Sequence, residues 1–393
     1  MKNPLAWFAV LITLALSACG GSPSVPDVPA GVSVAPGDGR AVINFTQQPG
    51  LEYWVFYAPG DTVSFPGSMQ VSGYRSVRLA TSPLAITGLT NGTQYAFIVA
   101  ASSNGSKAGP TSAPLTTTPR AAGDTWVAGA ATGAATLNAV VFDGTRFVAV
   151  GDAGTIVVST DLVTWTPAVS GTTARLLAIT YGGGRYVAVG EGGTVLVSVD
   201  RVTWSAAGSG TPAALNAVAY LSGLYYAVGD SGTLLRSTDA GTWIATTSGT
   251  SAALYAAGAY GDRAVVAGAG GVLLTSTNLI DWTPAASGTT ANLRALAQGN
   301  GRVVAVGDGG ALTGSADGLT WSAVASPVSA ALRAVTYSSR YVAVGAGGTV
   351  ALSTDGITWR AASAGTTTSL GATVFGLNSY IGLGAGGALF VAY

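Results

Sequence analysis

The sequence predicts an all-β protein in which a β-sandwich precedes a seven-bladed β-propeller. Tryptophans recur every 38 or 39 residues beyond residue 121, a period within the range of four-stranded propeller blades. Before that point, short alternating runs of Val, Ile, Phe and Tyr are separated by Gly, Pro and Asn, as in a sandwich. No long stretch keeps the helical period of about 3.6 residues without interrupting glycines, so helical repeats are excluded.

Composition limits the chemistry that the chain can perform. Of 393 residues, 48% are hydrophobic and 9% are charged, which favours buried cores over extended disorder. Lys plus Arg and Asp plus Glu each total 17, so no basic surface for nucleic acid is expected. The chain has no histidine and one cysteine. Histidine bases, His-ligated zinc and intramolecular disulfides are therefore excluded, and neither a cofactor nor a metal is expected.

The first segment is predicted to direct export. Residues 1–18 combine Lys2, the apolar run Leu5–Leu16 and small residues, and this run is too short to span a bilayer. The residues Leu16-Ser17-Ala18-Cys19 resemble the lipobox of bacterial lipoproteins, which implies that Cys19 becomes the acylated first residue of the mature chain. The resemblance implies a membrane-anchored lipoprotein of the outer membrane or cell surface, facing the periplasm or the exterior, with residues 19–31 as a tether. Ordinary secretion after Ala18 is the alternative.

Residues 32–118 are predicted to form the sandwich, and residues 119–123 a linker. The segment Gly88–Tyr95 resembles the turn of fibronectin type III domains that leads into a Tyr-x-Phe-x-Val strand, and Tyr95 would then be the tyrosine corner. Phe45 departs from that pattern, since a tryptophan is usual there. An Arg-Gly-Asp loop is missing from the sequence. We therefore expect a spacer, with weak binding as the alternative.

Residues 124–393 repeat in register. One unit predicts strands Leu137–Phe142, Arg146–Val150, Thr155–Ser159 and Thr164–Ala168. Tryptophan, leucine and glycine form three columns: Trp126, Trp165, Trp204, Trp243, Trp282, Trp321 and Trp359; Leu137, Leu176, Leu215, Leu254, Leu293, Leu332 and Leu370; and Gly151, Gly190, Gly229, Gly268, Gly307, Gly345 and Gly384. The seventh unit lacks its outer Trp strand, whereas Trp126 lies on an outer strand that lacks the other three. These halves are predicted to complete one blade and close the ring.

A Ser-x-Asp or Ser-x-Asn triplet precedes the tryptophan in six blades, at Ser159, Ser198, Ser237, Ser276, Ser315 and Ser353. These segments resemble the Asp-box, or BNR repeat, of sialidase-type propellers, shortened by one residue. We expect each Asp to accept hydrogen bonds from its own turn, a structural role. Arginines open five second strands, at Arg146, Arg185, Arg263, Arg302 and Arg340. They are predicted to pair with the Asp-box carboxylates, with an anionic partner as the alternative.

The opposite face carries the candidate ligand-binding residues. The repeat is uniform there except directly after the column leucine, directly after the column glycine and at Arg175. Variable side chains at fixed positions of a regular repeat would allow the face to recognise a particular ligand. The alternative is that these solvated turns carry no function, so that their residues vary without constraint. The candidates are Asn138, Arg175, Asn216, Tyr255, Arg294, Arg333, Asp152, Glu191, Asp230 and Asp308. Arg294 and Arg333 occupy equivalent positions of adjacent blades, and Asp308 is the candidate to neutralise them.

Two function classes remain open. A sialidase-like hydrolase would use Arg175, Arg294 and Arg333 for a carboxylate, Tyr255 activated by Glu191, and Asp152 as acid; a paired-carboxylate glycosidase is the other enzyme alternative. The Arg-Ile-Pro motif of sialidases is absent, and no insertion interrupts the repeat to build a pocket. The cadence from Val189 to Trp204 also resembles photosystem II stability and assembly factor propellers, which implies a non-catalytic protein-binding platform. We expect a monomeric, lipid-anchored envelope scaffold that binds a protein or a glycan and is not an enzyme.

Overall fold

The computed structural model describes residues 25–63, 75–103, 109–133 and 135–392. Within these ranges the chain divides into two units, one of residues 25–36 and 40–119 and one that contains residues 120–392. Cys19 and the predicted signal peptide lie outside the described residues. Within the described ranges, no helix has the length and apolar character to span a bilayer.

The first unit consists of two antiparallel sheets with a hydrophobic core between them. Its strands are β1 (Ser33–Gly37), β2 (Arg40–Asn44), β3 (Glu52–Pro59), β4 (Arg75–Val77), β5 (Leu84–Thr87), β6 (Tyr95–Ser102) and β7 (Leu115–Thr117). The sheets have the orders β1-β2-β5 and β4-β3-β6-β7, and Ile43, Val55 and Phe97 are buried between them. The Tyr95 hydroxyl accepts a hydrogen bond from the Thr90 N–H at 3.1 Å, the contact expected of a tyrosine corner. Membership in the fibronectin type III family stays a prediction.

The second unit consists of seven four-stranded antiparallel sheets. Strand β8 (Trp126–Ala128) precedes them. Blades 1 to 4 comprise β9 (Leu137–Phe142), β10 (Phe147–Gly151), β11 (Ile156–Ser159), β12 (Thr166–Ala168); β13 (Leu176–Gly182), β14 (Arg185–Gly190), β15 (Val195–Ser198), β16 (Ser205–Ala207); β17 (Leu215–Leu221), β18 (Leu224–Gly229), β19 (Leu234–Ser237), β20 (Ile244–Ala245); and β21 (Leu254–Tyr260), β22 (Arg263–Gly268), β23 (Val272–Ser276), β24 (Thr283–Ala286).

Blades 5 to 7 comprise β25 (Leu293–Gly299), β26 (Arg302–Gly307), β27 (Leu312–Ser315), β28 (Trp321–Ala323); β29 (Leu332–Tyr337), β30 (Tyr341–Gly345), β31 (Thr349–Ser353), β32 (Arg360–Ser363); and β33 (Leu370–Gly376), β34 (Ser379–Gly384), β35 (Leu389–Ala392). A short 3₁₀ turn joins the second and third strands of each blade, at Asp152–Gly154, Glu191–Gly193, Asp230–Gly232, Ala269–Gly271, Asp308–Gly310, Ala346–Gly348 and Ala385–Gly387. The second strands read as continuous apolar runs and are buried on both faces, because each blade packs between two neighbours.

The ring closes as the sequence predicts. Strand β8 pairs with β35, with Trp126 opposite Ala392 and Ala128 opposite Phe390, and β33 of blade 7 packs against β9 of blade 1. The Asp124 carboxylate accepts hydrogen bonds from Arg340 Nη1 at 2.6 Å and from Arg360. The segment that begins the second unit therefore completes its last blade.

The Asp-box carboxylates have the predicted structural role. Oδ1 of Asp200 accepts hydrogen bonds from the N–H groups of Val202 and Thr203 at 2.9 and 2.8 Å. The same pattern recurs at Asp161, Asn278, Asp317 and Asp355. The backbone N–H groups of Thr203 and Val202 lower the pKa of the Asp200 carboxyl to about 2. The Asp carboxylates hold their own turns and stay ionised at neutral pH, and the amide oxygen of Asn278 makes the same bonds in blade 4.

The predicted pairing of the second-strand arginines with the Asp-box carboxylates is wrong. Among the described residues, no ion pair joins Arg146, Arg185, Arg263 or Arg302 to a carboxylate, and Arg340 pairs with Asp124 instead. At Asp161 the N–H groups of Val163 and Thr164 both donate to Oδ1, so the carboxylate is oriented by its own turn rather than by a guanidinium.

Tyrosines tie neighbouring blades together, a feature that the sequence did not reveal. The Tyr186 hydroxyl donates to the Asp143 carboxylate of the preceding blade. Tyr225 and Tyr380 make equivalent bonds to the carbonyl oxygens of Gly182 and Arg340, at 2.5 and 2.7 Å. Each tie fixes the first hairpin of one blade against the next.

Candidate functional site

The face opposite the Asp-box turns is built on a repeated β-bulge. In every blade the register shifts directly after the column leucine, so the next residue has no partner across the ladder. A bulge redirects the side chain of its extra residue. The seven bulge residues are Asn138, Leu177, Asn216, Tyr255, Arg294, Arg333 and Gly371.

The column glycine positions a second residue beside each bulge. A Cβ on Gly307 would lie 2.0 Å from the carbonyl oxygen of Asn292, so only glycine permits this approach. The next N–H, that of Asp308, donates to the same carbonyl at 2.9 Å. This contact places the Asp308 side chain beside the bulge residue Arg294. The equivalent contact in blade 2 joins Glu191 to Arg175.

Blades 1 and 2 share a polar cluster whose members satisfy one another. Asn138 Nδ2 donates to Asp152 Oδ1 at 3.0 Å and to the Leu176 carbonyl of the next blade at 2.9 Å. Arg175 donates to Asp152 through Nε at 2.7 Å and to Asn138 Oδ1 through Nη2 at 3.1 Å. An exposed ion pair of this kind contributes about 0–1 kcal/mol to stability. The cluster therefore links blades 1 and 2, and the charges of Arg175 and Asp152 neutralise each other.

The candidates Asn216 and Asp230 of blade 3 also bond to each other. Asn216 Nδ2 donates to Asp230 Oδ1 at 2.9 Å and to the Leu254 carbonyl at 3.0 Å. Glu191 is exposed, and within the described residues no hydrogen bond or ion pair reaches its carboxylate. Asn216, Asp230 and Glu191 are not among the residues that line the cavity described below.

Blades 4 and 5 form a preorganised wall. Arg294 donates to both oxygens of Asp308, through Nε at 3.0 Å and Nη2 at 2.7 Å, and its guanidinium lies 4.4 Å from the ring centre of Tyr255. Asn292 Nδ2 adds a third bond to Asp308 at 2.9 Å. The Arg294 hydrogen bonds lower the pKa of Asp308, and the same bonds raise the pKa of Arg294. Both side chains therefore stay ionised around neutral pH, and their opposite charges cancel.

Arg333 is left without a counter-ion. Its side chain is exposed, and among the described residues no hydrogen bond or ion pair reaches its guanidinium. Its charge acts on Asp308 from a distance and contributes to the lowered pKa of that carboxyl. Asp308 thus neutralises one of the two arginines that the sequence placed beside it, and not the other.

These groups surround a cavity of about 370 Å³ at the mouth of the channel. It is lined by Asn138, Tyr255, Arg294, Asp308, Ala331, Arg333 and Gly371. We call it the mouth cavity. Five predicted candidates therefore come together, whereas Arg175, Asp152, Glu191, Asn216 and Asp230 are not part of its lining.

Besides Ala331, the lining residue that is absent from the sequence-based candidates is Gly371. Its φ is not positive, and a Cβ there would meet only the Leu137 carbonyl oxygen at 3.6 Å. The backbone therefore does not require glycine, and the missing side chain widens the cavity. The available signal was its place in the bulge column, where the six other blades carry a side chain.

The residues that a sialidase-like hydrolase would use do not lie together in one site. Tyr255 contacts Arg294 rather than Glu191, and Arg175 pairs with Asp152. In the described ranges, no group of three His, Cys, Asp or Glu side chains is placed to hold a metal ion. A larger groove of about 910 Å³ lies along blades 3 and 4 near Trp282, but no charged side chain lines it.

Comparison with known proteins gives the fold. No protein-family model and no curated protein sequence matches the chain. Solved structures do match: YCF48 bound to a D1 peptide (19% identity, TM-score 0.56, 68% of this chain and 94% of that chain) and YCF48 from Cyanidioschyzon merolae (19%, 0.55, 68% and 99%). The WD40 β-propeller domain of Doa1 is also similar (12%, 0.55, 66% and 93%). At these identities the likeness concerns fold alone, and the fold is that of a β-propeller.

Proposed function

We propose that this chain is a non-catalytic binding protein that holds a protein partner at the mouth cavity of its propeller. The observation that carries the proposal is Arg333, an exposed guanidinium without a counter-ion at the edge of that cavity. The structural likeness to YCF48, which has been solved with a D1 peptide bound, supports a protein rather than a glycan.

An acidic segment fits this arrangement best. A guanidinium binds a carboxylate through two parallel N–H bonds, which fixes orientation as well as charge. Arg294 and Asp308 hold each other and Tyr255 in place, so the wall of the cavity need not be ordered when a ligand binds. Gly371 leaves room on the other side. A glutamate, an aspartate or a terminal carboxylate of the partner would then contact Arg333.

The first test is capture of partners from detergent-solubilised envelope extract by the immobilised full chain. Arg333→Gln is expected to lose the captured proteins, with about tenfold weaker binding for loss of one charged contact. Gly371→Leu should lose them too, because it fills the cavity with the residue that blade 2 carries at the same bulge, Leu177.

Arg185→Gln is the matched control, since Arg185 is also exposed and without an ion pair among the described residues but lies at the Asp-box end of its blade. Recovery of the same proteins by Arg333→Gln and the parent chain would refute the proposal.

Binding at the mouth cavity is expected to be independent of pH and sensitive to salt. Arginine stays charged, and the chain has no histidine to titrate near neutrality. The pKa of Asp308 is lowered below the ordinary value of a carboxyl group. The ion pair of Asp308 with Arg294 is therefore complete at any pH above that ordinary pKa, and it is lost only when the pH falls through the lowered pKa of the folded protein. Affinity measured for a captured partner should stay constant between about pH 6 and 9 and fall as salt is added. A sharp change within that pH window would show that another group binds the partner.

We further propose that Cys19 anchors the chain to a membrane of the cell envelope and that the sandwich is a spacer. The lipobox-like sequence and the tether composition support this proposal. The Cys19→Ser chain is expected to wash from membranes in detergent-free buffer, whereas the parent chain should need detergent. Retention of the variant after washing would contradict the anchor.

A further inference from the structure

The charges at the mouth end of the propeller are unevenly distributed around the ring. Within the described residues, the carboxylates of the turns and entry loops at this end are Asp152, Glu191, Asp230 and Asp308, and the guanidiniums there are Arg175, Arg294 and Arg333. The pairs Arg175–Asp152 and Arg294–Asp308 neutralise each other, both at 2.7 Å. Glu191, Asp230 and Arg333 are left, and each is exposed and has no ion pair in the described part of the chain.

Glu191 and Asp230 occupy the same turn position as Asp308. Each directly follows the column glycine of its blade. The N–H of Glu191 donates to the Arg175 carbonyl oxygen at 3.0 Å, and the N–H of Asp230 donates to the Ala214 carbonyl oxygen at 3.0 Å. The N–H of Asp308 makes the equivalent bond in blade 5. The three turns therefore present their carboxylates at the same end of the propeller.

The neighbouring bulge residue decides whether the carboxylate of a turn is neutralised. In blade 5 that residue is Arg294, which donates to both oxygens of Asp308. Blade 2 has Leu177 there and blade 3 has Asn216, neither of which carries a charge. Asn216 bonds to one oxygen of its carboxylate and leaves the other one open. The carboxylates of blades 2 and 3 therefore keep their negative charge, and a side chain of a partner can reach them.

The closed ring places these carboxylates opposite Arg333. The first strands of successive blades pack side by side from β9 to β33, and β33 packs against β9. Arg333 is the bulge residue of blade 6, and in a ring of seven blades the two that lie farthest from blade 6 are blades 2 and 3. The mouth therefore has a positive side at Arg333 and a negative side at Glu191 and Asp230.

We propose that the partner segment lies across the mouth of the channel, with a carboxylate at Arg333 and a lysine or arginine side chain at Glu191 and Asp230. This orientation rests on the proposed function and adds to it a basic group and a direction. Complementary charges on the two sides fix which way the segment runs. A segment that is acidic throughout would bring like charges against Glu191 and Asp230, which opposes its binding. The mouth therefore selects a segment that is acidic at one end and basic at the other.

The test is the binding of the full chain to synthetic peptides of neutral residues that carry one Glu and one Lys. Both orders are made, with two to eight residues between the charges, so that the charges lie about 10–30 Å apart in extended peptides. One order and spacing should bind about tenfold more tightly than the same peptide with Gln in place of Lys, because the base meets two carboxylates. This difference should disappear when Glu191→Gln and Asp230→Asn are combined. Asp230→Asn keeps the oxygen that accepts from Asn216, so the turn is retained.

Asp262→Asn combined with Asp281→Asn is the matched control. Both carboxylates are exposed and lie at the Asp-box end of blade 4, and their loss changes the net charge by the same amount. This variant should keep the preference for Lys. Equal binding of the Lys and Gln versions at every spacing and in both orders would overturn the orientation, as would a Lys preference that survives Glu191→Gln with Asp230→Asn. If peptides with Glu are still preferred over those with Gln in that position, the orientation alone fails; if that preference is absent too, the proposed function fails with it.

Discussion

Deletion of residues 122–130 is expected to unfold the propeller or to destabilise all of it. The deletion removes β8, exposes the edge of β35 and takes away Trp126, which is buried in the last blade. Arg340 and Arg360 also lose their shared partner, Asp124. Loss of a buried tryptophan side chain alone costs about 3–5 kcal/mol, a large share of the 5–15 kcal/mol or so that stabilises a typical domain.

Urea denaturation followed by circular dichroism measures this effect. Val127→Ser is the control on the same strand, because the Val127 side chain is exposed; it should change the free energy of unfolding by no more than about 0.5 kcal/mol. An unchanged unfolding midpoint for the deletion would mean that the ring does not depend on β8.

Gly307→Ala is expected to lower the free energy of unfolding by about 3 kcal/mol. The new methyl group would lie 2.0 Å from the Asn292 carbonyl oxygen and 3.1 Å from the Cα of Leu293. Both are backbone atoms, so relief requires the start of β25 to move away from β26. The bulge that positions Arg294 would be lost with it.

Gly208→Ala serves as the comparison, because nothing lies within 4 Å of a Cβ at Gly208 and its φ is not positive. Its stability should match that of the parent chain within about 0.5 kcal/mol. Equal unfolding energies for the two variants would show that the column glycines are not needed for close approach.

The sequence predicts the propeller well because its signals are local and repeated. The 39-residue spacing, the turn residues and the Asp-box triplets each act within one blade. The predicted strand Leu137–Phe142 is confirmed, and Thr164–Ala168 is observed as Thr166–Ala168. The role of the column glycine was missed, since Gly307 owes its identity to a backbone oxygen that a local pattern does not indicate.

The candidate site was harder to predict because its contacts cross between blades. That Arg175 would bond to Asn138 of the preceding blade, and not enter a pocket, depends on side-chain directions set by the bulge. The sequence correctly placed Asp308 near Arg294 and Arg333. It could not predict that Asp308 accepts two hydrogen bonds from Arg294 and none from Arg333. Gly371 was not predicted because a glycine has no side chain that could bind a ligand, yet that missing side chain helps to shape the cavity.

The most direct measurement of the central claim is the binding of the full chain to an array of synthetic peptides made in matched Glu and Gln versions. We expect the parent chain to prefer the Glu versions, Arg333→Gln to show no preference, and Arg185→Gln to keep the parent's preference. Equal binding of Glu and Gln peptides by the parent chain, or a preference that survives Arg333→Gln, would contradict recognition of a carboxylate at the mouth cavity.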